Sequence, residues 1–279
     1  MKGPFDPPRA RMPDPGSNGV DSGLLRTRSL VIGHARALAR LPDLRLDAGD
    51  VLVVLGPNGV GKTTLFRTLL GALDPLAGEV RWSGSAVGDF DPRRLSRVLS
   101  YVPQAAESAF EMPAGDYVLL GRVGRLSAFG APGPEDIEAA RAAIESVGLG
   151  ALADRPLSRL SGGERQLAAI ARALAQGAAA LLLDEPTASL DAANQLRVLQ
   201  ALSRLALAGQ AILYSTHDPN HALLLGSAAL VLAPGGECAY GPVADVVSAS
   251  ALSHAYGTVI EEASTTAGRR LFAWGVPPV

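Results

Sequence analysis

Cysteine is nearly absent from this chain. Cys238 stands alone in 279 residues, which excludes an internal disulfide and fits a reducing compartment. A surplus of either charge is also missing. The 25 Lys and Arg are balanced by 27 Asp and Glu, a formal net charge of −2, whereas a nucleic-acid binder usually carries a basic excess. There is no long apolar run. The most apolar stretch, residues 222–233, is too short to span a membrane and is broken by Gly226 and Ser227. The N-terminus lacks the apolar core of a secretory signal, and no internal repeat is visible. The expectation is a soluble, cytoplasmic chain. If it works at a membrane, another protein supplies the spans.

What is present is ample apolar material, 48% of residues, enough for one large α/β domain or two intimate subdomains. Residues 1–23 are rich in Pro, Gly and charge and read as a disordered tail, because they cannot bury enough surface to offset ordering entropy. Leu30-Val31-Ile32 reads as a strand. Val51-Leu52-Val53-Val54-Leu55 is a continuous apolar run, as expected of a strand covered on both faces. Residues 80–82, 98–102, 180–183 and 211–215 are further strand candidates. Helices are predicted over 65–70, 114–121, 135–147, 164–176 and 194–207. Pro134 lies near the start of one, and Gly148 and Gly177 lie past the ends of two. Strands alternating with helices imply a mostly parallel sheet. The stretch of about 89–159 reads as an inserted helical subdomain.

Three phosphate-handling motifs follow one another. Gly56, Pro57, Asn58, Gly59, Val60, Gly61, Lys62, Thr63 and Thr64 fit the P-loop pattern, with an apolar strand before and a helix after. The glycines let backbone N–H groups turn inward at phosphate oxygens, and the helix adds the positive end of its dipole. Lys62 reaches the β and γ phosphates, and the Thr63 hydroxyl ligates Mg²⁺. Asp184 ends an apolar strand where it can reach the Mg²⁺ shell. The adjacent Glu185 leaves in another direction and can polarise the attacking water. Between them Ser161, Gly162 and Gly163 open another helix. Alone such a triplet is often only a cap; just ahead of an Asp-Glu strand it reads as a second anion cradle.

At these residues the chain resembles the ATP-binding subunits of ABC transporters. Leu160-Ser161-Gly162-Gly163-Glu164-Arg165-Gln166 resembles the family's signature loop. Gln104, in Tyr101-Val102-Pro103-Gln104, resembles its Q-loop; Ser189-Leu190-Asp191 its D-loop; and His217, in Ser215-Thr216-His217-Asp218, its switch histidine. The resemblance implies an α/β fold: a P-loop NTPase core with a mostly parallel sheet, an N-terminal antiparallel β-subdomain and an inserted helical subdomain. It places an ATPase domain over 24–265 and a C-terminal tail over 266–279. It further implies a head-to-tail homodimer, with ATP and Mg²⁺ between the P-loop of one chain and Ser161, Gly162, Gly163 and Glu164 of the other. Glu185, His217 and Gln104 would be catalytic, Thr63, Gln104 and Asp184 would hold the metal, and Asp191 would couple the two sites. His34 falls where the family usually stacks an aromatic ring on adenine; imidazole can stack but offers less area. His221 and His254 have no better account than surface polarity or local capping.

The chain lacks the fused spans of many exporters, the inserted coiled coil of DNA-repair members and the second cassette of translation factors. Leu120-Gly121-Arg122, the run from His217 to Leu223, and Ala255-Tyr256-Gly257 are similar to importers of metal chelates: ferric siderophore, haem, cobalamin, and the related molybdate or tungstate systems. That resemblance implies two transmembrane permease subunits, an indirect substrate-binding protein, and a peripheral place on the cytoplasmic face of the inner membrane. Residues 105–117 would line the groove that receives the permease. Alternatives are a soluble ATPase without transport, an exporter subunit, and a P-loop kinase, the last disfavoured by the signature loop.

Overall fold

A computed structural model describes residues 23–104, 111–127 and 130–275. The tail expected over 1–23, except Gly23, lies outside the described residues, as do positions 105–110 of the stretch expected to meet a permease.

Two sheets share the P-loop unit between them. The first is antiparallel. Strand β1 (Leu25–Gly33) pairs with β2 (Ala37–Arg40), β3 (Arg45–Leu46) and β5 (Ala77–Trp82), and β5 pairs with the short β6 (Ser85–Ala86). The second has six strands, in the order β11-β10-β4-β9-β8-β7. Its strands are β4 (Val51–Leu55), β7 (Leu99–Val102), β8 (Ala180–Leu183), β9 (Ala211–Thr216), β10 (Ala228–Leu232) and β11 (Cys238–Pro242). Five run parallel and only β11 runs against its neighbour.

The pleat explains why β4 reads as unbroken apolar sequence. Successive side chains point to opposite faces. Val51, Val53 and Leu55 join a core with helices α5 (Gly162–Ala175) and α6 (Ala192–Leu207). Leu52 and Val54 join a second core with the antiparallel sheet and helix α1 (Lys62–Leu69). Both faces are covered, so no polar position survives in the strand. Trp82 is fully buried in the second core, and its indole N–H donates to the Leu69 carbonyl at 2.8 Å, tying β5 to α1.

The inserted helical layer is shorter than the sequence implies. Helix α2 (Pro92–Val98) leads into β7, which pairs in parallel with β8 inside the main sheet because Leu99, Ser100 and Val102 are buried there. The layer proper is α3 (Ala114–Leu119), α4 (Pro134–Ser146) and the 3₁₀ turns that follow, packed on α5. Pro134 takes the first position of α4, where a missing N–H costs nothing.

The C-terminal end also departs from expectation. After α7 (Pro219–Leu225), α8 (Val243–Val246) and α9 (Ala249–Tyr256), residues 266–279 were assigned to a tail. Within them Arg270–Trp274 is instead strand β13, paired in register with β12 (Ile260–Ser264). Buried Phe272 and a two-point clamp hold it: the Asn220 side-chain amide donates to the Phe272 carbonyl at 3.0 Å, and the Phe272 N–H donates back at 2.8 Å. No described helix is long and apolar enough to cross a membrane.

Candidate active site

Parallel strands deliver their C-terminal ends to one edge of the sheet, and four of those ends carry polar loops. Strand β4 runs into residues 56–61, which curl back to open α1. Gly61 caps that helix at φ 116°, ψ 9°, a left-handed position that a Cβ would strain. The first intrahelical bond runs from Leu65 N–H to the Gly61 carbonyl at 2.9 Å. The N–H groups of Lys62, Thr63 and Thr64 therefore have no partner within the helix, and with the helix dipole they form an anion cradle.

The ends of β8 and β9 close onto this cradle. Lys62 Nζ, almost wholly buried, donates to the Gly56 carbonyl at 2.7 Å and the Pro57 carbonyl at 3.0 Å, and pairs with Glu185 Oε1 at 2.9 Å. Thr63 Oγ1 donates to Asp184 Oδ2 at 2.8 Å. Glu185 Oε2 meets His217 Nδ1 at 3.2 Å. Lys62, Thr63, Asp184, Glu185 and His217, widely separated in sequence, thus form one connected polar cluster.

A residue not singled out from sequence links Asp184 to the Glu185 backbone. The Ser215 hydroxyl donates to Asp184 Oδ1 at 2.6 Å and accepts from the Glu185 N–H at 2.8 Å. The second bond fixes Glu185 at φ 45°, a conformation uncommon for a residue with a side chain. Burial alone would raise the Glu185 pKa. The Lys62 ammonium, with help from His217, outweighs it and holds the carboxyl below its ordinary range. Tyr101, also not singled out as a site residue, lies 3.5 Å from Asp184 Oδ2; burial and that carboxylate push its hydroxyl pKa up to about 12.

The cluster fits a hard divalent cation. Thr63 Oγ1 and Asp184 Oδ2 are both oxygen donors, they lie side by side, and Mg²⁺ is commonly held by one or two such protein oxygens together with phosphate and water. Gln104 lies two residues beyond the end of β7. It is exposed, and among the described residues it forms no hydrogen bond with Thr63 or Asp184. His34 is exposed in the turn between β1 and β2. A Cβ on Gly61 would lie 3.8 Å from both Ile32 and Leu38, so that hairpin lies against the cradle.

The second cradle stands apart. Ser161 caps α5 with a reciprocal box: its hydroxyl accepts from the Glu164 N–H at 3.2 Å, and Glu164 Oε2 accepts from the Ser161 N–H at 2.7 Å. That second bond is the main reason the Glu164 carboxyl lies below its ordinary pKa. Among the described residues no hydrogen bond joins Ser161, Gly162, Gly163 or Glu164 to the Lys62 cluster. Instead Gly163 lies on Asn194, where a Cβ would fall 2.6 Å from the Asn194 Cβ. Asp191 caps α6, with one oxygen accepting the Asn194 N–H and the other its side-chain amide.

His221 corrects the sequence reading. It is 5% exposed rather than on the surface. Its Nδ1 lies 2.9 Å from the Tyr214 hydroxyl and 3.1 Å from Thr216 Oγ1, and Tyr214 in turn meets Thr187 Oγ1 at 2.9 Å. Burial lowers the His221 pKa; nearby Asp218 opposes that and His217 adds to it. His254 is exposed and pairs with Glu237 at 2.6 Å, as surface polarity implies.

The chain also resembles known proteins in sequence and in fold. The sequence model of the ABC transporter family matches residues 41–188. The hemin import ATP-binding protein HmuV of Myxococcus xanthus is 39% identical, over 82% of this chain and 87% of its own length. The molybdate import ATP-binding protein MolC of Haemophilus influenzae is 38% identical, over 67% of this chain and 69% of its own. Among solved structures, an inward-facing ABC transporter described as of metal-chelate type superposes with a TM-score of 0.81 at 30% identity, over 91% of this chain and 98% of that one.

Proposed function

The chain belongs to the ABC transporter family, among its ATP-binding, ATP-hydrolysing subunits, and we propose that it energises uptake of a metal chelate or an oxyanion through a separate permease. The single observation that carries the catalytic part is the shared cluster, in which Glu185 contacts both the P-loop lysine and His217. Its relatives support the choice of cargo: one is named for hemin import and another for molybdate import.

The residue roles follow from that cluster. The amides of residues 62–64 and the Lys62 ammonium bind the β and γ phosphates of ATP. Glu185 accepts a proton from water as the water oxygen bonds to the γ-phosphorus; the bond from that phosphorus to the β–γ bridging oxygen breaks, and ADP leaves with the electron pair. His217 holds Glu185 through Nδ1 and leaves its other nitrogen for the phosphate. Thr63 and Asp184, joined by Gln104, would hold Mg²⁺, which would neutralise phosphate charge. His34, exposed in the turn between β1 and β2, would stack on the adenine.

A second copy of the chain completes each site. Ser161, Gly162 and Gly163 present a helix start that does not meet the cluster of their own chain, an arrangement suited to the nucleotide of a partner. Asp191 then links the sites through Asn194 and Gly163. Two permease subunits would carry the homodimer on the cytoplasmic face of the inner membrane, supplied by a substrate-binding protein.

The test is elemental analysis of cells lacking the chain, grown with scarce iron, cobalt and molybdenum, and complemented with wild type or Glu185→Gln. Selective loss of one element, restored by wild type alone, is expected. Unchanged contents would remove the metal-import reading. A copurifying polytopic membrane protein is expected in pull-downs; its absence would favour an ATPase without transport.

A further inference from the structure

Tyr256, at the end of α9, is remote in sequence from the catalytic cluster, yet its side chain reaches the cluster's edge. Its hydroxyl donates to the His217 backbone carbonyl at 2.8 Å. One phenol therefore ties α9 to the residue whose imidazole meets Glu185. The His217 carbonyl has no strand partner, because β9 ends at Thr216.

The ring is also supported from its far side. Trp274 of β13 meets it edge-on, with centroids 5.4 Å apart and planes at 75°. Strand β13 is itself clamped to Asn220 through both backbone groups of Phe272. The C-terminal hairpin and α9 thus grip the segment 217–220 at both ends, at the His217 carbonyl and at the Asn220 side chain.

We propose that Tyr256 is a positioning residue for ATP hydrolysis, which fixes the His217 backbone against α9 and so sets where the imidazole meets Glu185. It touches no reacting atom. The His217 side chain is 46% exposed and is held to Glu185 by one 3.2 Å contact, so its placement depends on its backbone. The proposal rests on the role given above to His217.

The test uses the full-length chain and phosphate release from Mg-ATP. Tyr256→Phe keeps the ring and loses only the hydroxyl. Its kcat is expected to fall roughly three- to tenfold, the equivalent of one hydrogen bond, with KM for ATP within about twofold of wild type. Trp274→Ala, at an exposed ring, is expected to lower kcat in the same direction by less. The decisive comparison is the residual turnover of His217→Ala, in which adding Tyr256→Phe should cost nothing further. Wild-type turnover in Tyr256→Phe, with His217→Ala impaired, would overturn the proposal. Equal losses in both backgrounds would also overturn it, since Tyr256 would then act independently of His217. Normal turnover in His217→Ala would remove the role of His217 itself, and with it the route through which Tyr256 acts.

Discussion

Replacing Ser215 with Ala removes a hydroxyl that holds both the Asp184 carboxylate and the Glu185 backbone. Ser215 is fully buried on β9, between Asp184 Oδ1 at 2.6 Å and the Glu185 N–H at 2.8 Å. The first bond is charge-assisted and worth about 1.5–3 kcal/mol. The second leaves a buried N–H without a partner, which costs about 1–3 kcal/mol. Asp184 keeps Thr63, and the space left by one oxygen is too small for a water. The loss should therefore be about 3 kcal/mol, or roughly 6–12 °C in melting temperature for a chain of this size. Ser100→Ala is the matched control. Ser100 is buried on β7 of the same sheet, but its hydroxyl reaches only the Ala180 carbonyl, at 3.5 Å. That bond is at the edge of useful geometry, so its loss should cost under about 1 kcal/mol. Thermal unfolding of both variants without nucleotide measures the difference. Equal melting temperatures for Ser215→Ala and Ser100→Ala would refute the reasoning, as would a Ser215→Ala variant that melts with the wild type. The same variant should also turn over ATP more slowly, because Glu185 loses the bond that holds its left-handed backbone.

Two further substitutions test other parts of the site. Gly163→Ala would press a methyl group into Asn194, which two bonds to Asp191 keep in place; overpacking of this kind costs about 1–3 kcal/mol, so an unchanged melting temperature would show that this contact yields freely. His221→Gln tests the buried histidine through pH. Burial holds its folded pKa below the ordinary 6.5, so the unfolded chain binds more protons in that window, and its contribution is complete above about 6.5 and lost as pH falls below it. Wild-type stability should therefore decline between about pH 7 and 5 more steeply than that of His221→Gln, and parallel profiles would refute the assignment.

The parts legible in sequence were those whose requirements are local. A loop that must turn three glycines and a lysine around phosphate writes itself into nine consecutive residues, and an apolar strand covered on both faces, such as β4, has no polar position. Asp184 and Glu185 were legible because they end such a strand. Ser215 was not, since its hydroxyl at the end of Ile212-Leu213-Tyr214-Ser215 looks like an incidental polar group until β8 is laid beside β9. His221 was misread for a related reason: its partners Tyr214 and Thr216 are supplied by β9, which the sequence does not show lying against α7. Residues 98–102 looked like a strand within a helical stretch, and only pairing with β8 assigned them to the main sheet. Strand β13 was lost because its one buried side chain, Phe272, lies among exposed neighbours, and its anchor Asn220 is about fifty residues away.

The cluster also constrains how nucleotide must be received. An ammonium has three donors, and Lys62 uses all three, on the Gly56 and Pro57 carbonyls and on Glu185. A phosphate oxygen can therefore be bound by Lys62 only through displacement of one acceptor. The two carbonyls belong to the same loop as the lysine, whereas Glu185 arrives from another strand and bears a charge that a phosphate can replace. Once Lys62 turns from Glu185 to phosphate, the strongest influence that lowered the Glu185 pKa is gone. Burial then acts to raise the pKa of this carboxyl, while His217 still acts to lower it. His217 alone then holds the carboxylate in place, through a side chain that is nearly half exposed. That is the moment at which the position of the His217 backbone matters most, and it is the backbone that Tyr256 holds.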